Sequence, residues 1–398
     1  MDMLSKQHSL RTVFGLLFAL AALNGLALPT KTEAQNMPHF GTGVALVTTP
    51  AAWDTWATLS PAGDFVAGGH PFLYLWDIRD LSPNGNWTRV APVYSNTSQD
   101  LAKAAMRFSP DGRYLAVQSQ TDLRILTVPN MQTLRAASVV GPAPWFTSLA
   151  WTPTSRFVST LSNGGQEALV LDIQTGQTYR YTFQHPYDHV YSFGDQWLIA
   201  AFSVQSDSAF ALCDKLLESC TPYPMTGGVL AVAPHREIII TERSSDAEHR
   251  SVLGAWQPRS DGIFLLNEQR FTGLPFSSIR TFSPSERFLA GSTGTKTVIF
   301  DFDSLAEIYR APLGYWGPTW LDDGLFVSGD LSPDGAVPVV ALYDLEQSTP
   351  LDTLALDQEA YQELMLPEAV NLKSASDDGR WLLFNLGRGA LLIPIVYE

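Results

Sequence analysis

Charge is scarce in this chain. Only 16% of its 398 residues are charged, 25 basic against 40 acidic, for a formal net charge of −15 at pH 7. No block of Lys and Arg interrupts the acidic balance, which argues against nucleic acid or anionic lipid as partners. Cysteine is nearly absent, with Cys213 and Cys220 as the two copies. That spacing makes neither a C-x-x-C redox pair nor a four-ligand zinc set, and in an oxidising compartment the two are expected to form a disulfide. G-x-S-x-G, the EF-hand loop and helical H-E-x-x-H are also missing, so no cofactor is implied and no reaction announces itself.

What is present is apolar, aromatic and rich in turn formers. Hydrophobic residues make up 45% of the chain, including 21 Phe, 13 Tyr and 11 Trp, alongside 29 Gly and 26 Pro. Rings suit half-buried pleated surfaces, while Pro and Gly set turn dihedrals, so this composition predicts many short strands and few helices.

The first 34 residues stand apart. Lys6 and Arg11 precede an apolar run from Val13 to Leu28, and Thr32-Glu33-Ala34 follows as a cleavage site. The run is shorter than the roughly 20 apolar residues that cross a bilayer comfortably. The reading is a cleavable signal peptide over residues 1–34 with Gln35 as the new terminus; cleavage after Ala27 and an uncleaved anchor are the alternatives. Removing Asp2, Lys6, Arg11, Lys31 and Glu33 leaves the chain one charge more negative. Residues 35–398 are then expected to form one exported domain, periplasmic or extracellular, with no stable membrane insertion. No Cys lies just after the apolar run, so a lipoprotein anchor is excluded.

A repeat dominates that domain: a turn written Ser-Pro-x-Gly, or a relative of it, followed by an apolar strand. It reads most cleanly as Phe108-Ser109-Pro110-Asp111-Gly112-Arg113-Tyr114-Leu115, and again at Ser60-Pro61-Ala62-Gly63, Thr152-Pro153-Thr154-Ser155 and Ser283-Pro284-Ser285-Glu286. Degenerate copies start at Phe193, Val232, Trp320 and Ser376. Pro presets the first turn dihedral and Gly accepts positive φ, so each block joins two antiparallel strands tightly. A second signature is an apolar strand ending in Asp, at Leu73-Tyr74-Leu75-Trp76-Asp77, Leu169-Val170-Leu171-Asp172, Val298-Ile299-Phe300-Asp301 and Ala341-Leu342-Tyr343-Asp344. It reads as a third strand turning into a fourth.

The blocks recur roughly every 40 to 55 residues, the length of a four-stranded propeller blade. On these residues the chain resembles the bacterial WD-repeat-like propellers of the TolB and YVTN types, over about residues 43 to 398. Trp76-Asp77 reproduces the WD dipeptide, yet the Gly-His partner of eukaryotic WD repeats is missing; Gly69-His70 sits inside a strand region. The resemblance therefore implies a fold and transfers no site residue. The expected architecture is all-β: a single closed β-propeller of four-stranded antiparallel blades, eight in number, with seven as the competing count. The last repeat lacks a fourth strand, so Gly43 to Thr48 is expected to pair with Ala390 to Tyr397 and close the ring, Pro394 needing a bulge or an outward-facing position. Deleting Asn36 to Phe40 is expected to matter far less.

Junctions between blades repeatedly combine Pro with a large ring, presenting Trp53, Trp145, Tyr187, Phe276 and Trp316. Rigid loops carrying rings can form a binding rim, or the rings can pack between blades. His185 and His189 flank Tyr187 and, with Asp188, add two imidazoles and a carboxylate to the same face, candidates for binding and enough for a metal or for acid/base work, against a surface or capping role, which is the favoured reading. The acidic stretch from Asp352 to Glu368 reads as a solvated excursion, with a carboxylate calcium site as the less favoured alternative. Asn86-Trp87-Thr88 and Asn96-Thr97-Ser98 match the glycosylation sequon, which matters only in a eukaryotic secretory pathway.

The expected function is a non-enzymatic binding module for an envelope protein or peptide. A propeller hydrolase or lactonase with a site on the axis competes with it, as does a carbohydrate-binding propeller. Titratable groups converging on the axis would favour catalysis.

Overall fold

The computed structural model describes residues 37–47, 57–68, 72–81, 89–96, 105–139, 149–194, 196–200, 210–223, 228–245, 250–259, 262–272, 278–293, 295–314, 317–331, 338–356, 371–386 and 389–397. The expected signal segment, Trp53, Trp145, Phe276, Trp316 and the carboxylates of Asp357, Glu359, Glu363 and Glu368 lie outside them. Among the described residues the single helical element is a 3-10 turn at Asn163–Gly165.

Eight sheets follow one another in chain order as antiparallel meanders. Blades 1 to 8 comprise residues 57–96, 105–138, 150–182, 189–223, 228–272, 278–311, 319–355 and 371–397, the last completed by the N-terminal segment. Their first strands are Ala57–Leu59, Ala105–Phe108, Ala150–Trp151, His189–Phe193, Gly228–Ala233, Ser278–Phe282, Thr319–Trp320 and Asn371–Ala375. First strands touch between blades 1 and 2, between blades 3 and 4, from blade 5 through blade 8, and between blades 8 and 1, which puts them at the axis. The count is eight, and the uneven repeat spacing has a local cause. Blade 5 has second to fourth strands of 8, 10 and 11 residues, against four to seven in most blades.

No single central core exists. Apolar side chains gather in eight clusters, each wedged between two neighbouring blades, as Leu169 and Leu171 meet Leu123 and Ile125 between blades 2 and 3. Alternate residues of one strand serve the two sides: Leu169 faces blade 2, whereas Ala168 and Val170 face blade 4. Both faces of a blade are thus buried, so its middle strands read as unbroken apolar runs.

Ring closure joins the two ends of the chain. Val44–Val47 pairs antiparallel with the last strand, Val44 opposite Leu392 and Val47 opposite Gly389. Val44 and Leu46 then pack with Trp76 and Val66 of blade 1. Two features exceed the expectation. Arg89–Val90, from the excursion in blade 1, adds a parallel contact to Val44–Val47. Pro38–Phe40 pairs with the distal half of the last strand, Phe40 opposite Ile395, and Phe40 N–H donates to Asp352 Oδ2 at 2.8 Å. The segment before residue 43 is therefore part of the closure and not a dispensable leader. Asp352 likewise opens the fourth strand of blade 7, Asp352–Ala355, instead of starting a solvated excursion.

The Ser-Pro-x-Gly turns do more than link strands, because turns of neighbouring blades are tied together. Asp111 N–H donates to Ser155 Oγ at 3.2 Å, Ser285 N–H to Asp323 Oδ1 at 2.9 Å, and Asp377 N–H to the Pro61 carbonyl at 2.9 Å. Glu286 accepts from both His235 N–H and Arg236 N–H, at 3.0 and 2.9 Å. These contacts run from blade 2 to 3, 5 to 6, 6 to 7 and 8 to 1, lacing one face of the disc.

The disulfide lies inside the ladder of blade 4. Cys213 and Cys220 are directly opposite on Phe210–Asp214 and Cys220–Tyr223, with Cα atoms 4.0 Å apart. Their strands start and end closer to the turn than the expected Ser208 to Leu212 and Thr221 to Met225.

Candidate functional site

Each turn of the laced face leads from a blade's first strand out to its second, and the first strands line the axis. Counting back two residues from the turn's hydroxyl gives Thr58, Ala150, Thr281 and Ser374 in four blades, all small, and Arg107 in blade 2. The Arg107 side chain is exposed. Its Nη1 donates to the Leu149 carbonyl at 2.9 Å, so the guanidinium lies along the inner mouth of blade 3 and is aimed past it. Trp151 fixes the backbone beneath it, donating its indole N–H to the Arg107 carbonyl at 3.2 Å. Trp320 makes the same contact to Thr281 at 3.1 Å.

Partial desolvation lowers the pKa of the Arg107 guanidinium, and Tyr191 of blade 4 opposes that effect. Blade 3 separates blades 2 and 4, and both residues are on axial first strands, Ala105–Phe108 and His189–Phe193. Tyr191 shares its strand with His189, whose ring is stacked on it at 6.1 Å between centroids. Burial drives the His189 pKa down to about 4, with Asp188 pulling weakly the other way, so the imidazole is neutral near pH 7.

The connection into this strand is well anchored. Tyr187 N–H donates to the Gly165 carbonyl at 3.0 Å and Asp188 N–H to the Ala200 carbonyl at 3.0 Å. Gly165 has φ of +89°, and a Cβ there would lie 2.0 Å from the Tyr187 carbonyl oxygen, so only glycine fits. Tyr187 itself is buried, its ring edge-on to Phe183 at 4.9 Å within the cluster between blades 3 and 4. It packs instead of presenting a ring. His185 is exposed, and His189 is on the axial strand. The remaining ring residues of the expected rim are outside the described part, as stated above.

Sequence reasoning missed Arg107 and Tyr191. The signal for Arg107 was present in the repeat register, as a long cation where other blades carry small side chains. Tyr191 had none, because its partnership with Arg107 exists only once the blades curl into a ring. Among the described residues no group of three or more His, Cys, Asp or Glu forms a metal-capable cluster, and no helix is long and apolar enough to cross a membrane. The axial strands carry no Asp or Glu, so the convergence of carboxylates that acid/base chemistry on the axis would use does not occur on them.

Together the sheets define a β-propeller of the WD40-like class. Among solved structures the chain is similar to the C-terminal WD40 domain of Sif2, at 12% identity and a TM-score of 0.58, covering 89% of this chain and 99% of that one. It is also similar to the β-propeller domain of Cps50 (Swd1) from Myceliophteria thermophila, at 13% identity and a TM-score of 0.51, covering 73% of this chain and 95% of that one. At such identities the likeness extends to the fold alone. No family model matches the sequence, and no curated protein matches it.

Proposed function

We propose that this chain is an exported, non-enzymatic propeller of the bacterial TolB or YVTN type that holds a protein or peptide partner in the cell envelope. The propeller fold is compatible with a protein-interaction scaffold. The observation that carries the reading is the axial site: a guanidinium, a phenol and an imidazole that is neutral near pH 7 held on rigid first strands, with the Asp188 carboxylate at the entry of the His189 strand. The apolar segment from Val13 to Leu28 supports export, and the opposed cysteines suit an oxidising compartment.

Photo-crosslinking in the source cells tests it. A photoreactive residue replacing Tyr191 is expected to give a discrete adduct with another protein, whereas one replacing Ile308, exposed on the outer strand of blade 6, is expected to give none. Absence of the Tyr191 adduct together with a discrete one at Ile308 would overturn the axial site. Retention of the protein in spheroplasts after its residues 1–34 are removed, and its release with them intact, is the expected outcome for export.

A second reading, lactone hydrolysis, draws on His189, since an imidazole that is neutral at pH 7 can act as a base. Turnover of a simple lactone that is lost in His189→Ala would favour this reading over the first.

A further inference from the structure

The outer strand of blade 5, Gly262–Thr272, has 11 residues, whereas the outer strands of blades 1 to 4, 6 and 7 have three to six. Its ladder with the third strand runs on to the pair Arg259 and Gly262, past Ile239 and Trp256, the last pair that the second strand makes. This end of the hairpin outruns its own sheet, and Phe264, Leu265 and Leu266 are exposed in succession at 38%, 46% and 46%. A soluble surface avoids such a run unless it is used. Trp256 stands opposite Leu265 and Ala255 opposite Asn267, so Leu266 is the extra residue of a bulge, which re-aims its side chain. Half of the N–H and C=O groups of an edge strand point outward, ready for another strand. Two arginines bracket the run. Arg259 lies over the Phe264 ring at 4.8 Å and donates to Gln257 Oε1 at 2.9 Å, and Arg270 is exposed. Among the described residues neither has a carboxylate partner, whereas eight other arginines, Arg113 and Arg156 among them, do. Glu268, between them, is half-buried and engaged in a contact of its own. The anion for these two guanidiniums is left to come from outside.

We propose that this edge binds an extended peptide as a fifth strand of blade 5, with apolar side chains in its middle against Leu265 and Leu266 and an acidic side chain at each end facing Arg259 and Arg270. Strand addition draws its affinity from backbone hydrogen bonds, and the exposed leucines and guanidiniums select the side chains. From Phe264, which lies under Arg259, to Arg270 is six steps of about 3.3 Å, so the two acidic positions of the peptide are about 20 Å apart. A second copy of the chain fits this edge less well, since each copy has a net charge of −15 and two bulged edges do not pair flat. The surface is on the outermost strand, away from the axial strands, and is a second binding site beyond the reading proposed above.

Fluorescence anisotropy of dye-labelled peptides on the purified protein tests this. The probes are Glu-Val-Thr-Val-Thr-Val-Glu with both termini blocked, the same peptide with Lys at both ends, and the Glu peptide with alternate backbone nitrogens methylated. The Glu peptide is expected to bind about fivefold or more tightly than the Lys peptide, although the charge of the whole molecule favours the reverse. In the double variant Arg259→Glu, Arg270→Glu that preference is expected to invert, which also shows that the variant is folded. Methylation, which removes the donors of the added strand, is expected to abolish binding. No binding of the Glu peptide at millimolar concentration, an unchanged preference in the double variant, or full binding of the methylated peptide would each overturn the site. Sedimentation without peptide is expected to show a monomer; a dimer that Leu265→Lys dissolves would put a second copy on this edge and overturn the peptide. These variants leave the axial strands intact, so the result is read independently of the Tyr191 crosslink.

Discussion

Gly41 N–H donates to the Pro394 carbonyl at 2.8 Å, and this bond sits at the one irregular point of the ring closure. From Phe40 to Val44 the outer chain advances four residues, while from Ile395 to Leu392 the last strand advances three. The extra residue is a bulge. Pro394 has no N–H to give, and its carbonyl faces the outer chain here, so the missing donor falls where the ladder is already broken. On the other side the ladder is intact, with Ile395 N–H donating to Arg380.

Closure therefore has a strong half and a weak half. Leu46 is fully buried between the last and first blades, and Leu46→Ala is expected to cost about 2–5 kcal/mol. Deleting Pro38–Phe40 removes three ladder pairs and the packing of partly buried Phe40, and should cost clearly less than deleting Val44–Val47. Urea midpoints of the three variants check this; equal losses for the two deletions would contradict the assignment.

The disulfide closes a short loop in blade 4. In the chain-entropy model such a loop stabilises by about 2–3 kcal/mol. The double variant Cys213→Ala, Cys220→Ala is expected to lower the denaturation midpoint accordingly, and dithiothreitol should then have no further effect on it. A midpoint in the wild type that ignores reductant would show that the bond contributes nothing.

Glu286 offers a sharper test of the laced turns. Its φ is +59°, at the place where three other blades have Gly63, Gly112 and Gly379 in the same left-handed region. Glycine there would release about 1–2 kcal/mol of strain. Yet Glu286 is buried and accepts two backbone N–H groups of blade 5, bonds to a charged group worth about 1.5–3 kcal/mol each. Glu286→Gly is therefore expected to destabilise despite the better backbone, and Glu286→Ala to destabilise more. If Glu286→Gly proves more stable than wild type by thermal melting, the lacing carries no weight.

His189 sets a pH dependence with a definite sign. Its pKa falls from 6.5 to about 4 on folding, so between those values the unfolded chain binds the proton that the folded chain refuses. Stability from this group is complete above about pH 6.5 and declines as pH falls toward 4. His189→Gln removes that proton, and its melting temperature should drop less than that of wild type between pH 7 and pH 4.5. Parallel declines would show that His189 is not buried as described.

The all-β class, the eight turns and the pairing of the chain ends were all legible, because each depends on local residue chemistry. Pro and Gly dictate a turn wherever they occur, and an apolar run such as Leu169-Val170-Leu171 cannot stay in water. The sequence also placed the Cys213–Cys220 pair, since the six residues between them leave little freedom in how they meet. Only the tertiary structure decided that Tyr187 packs inward, that Glu286 ties blade 5 to blade 6, and that Arg107 and Tyr191 are both on axial strands. Those facts join residues tens of positions apart, and they depend on how far each blade rotates about the axis. That rotation is set by the summed volume of eight apolar wedges, a quantity that no single stretch of sequence contains.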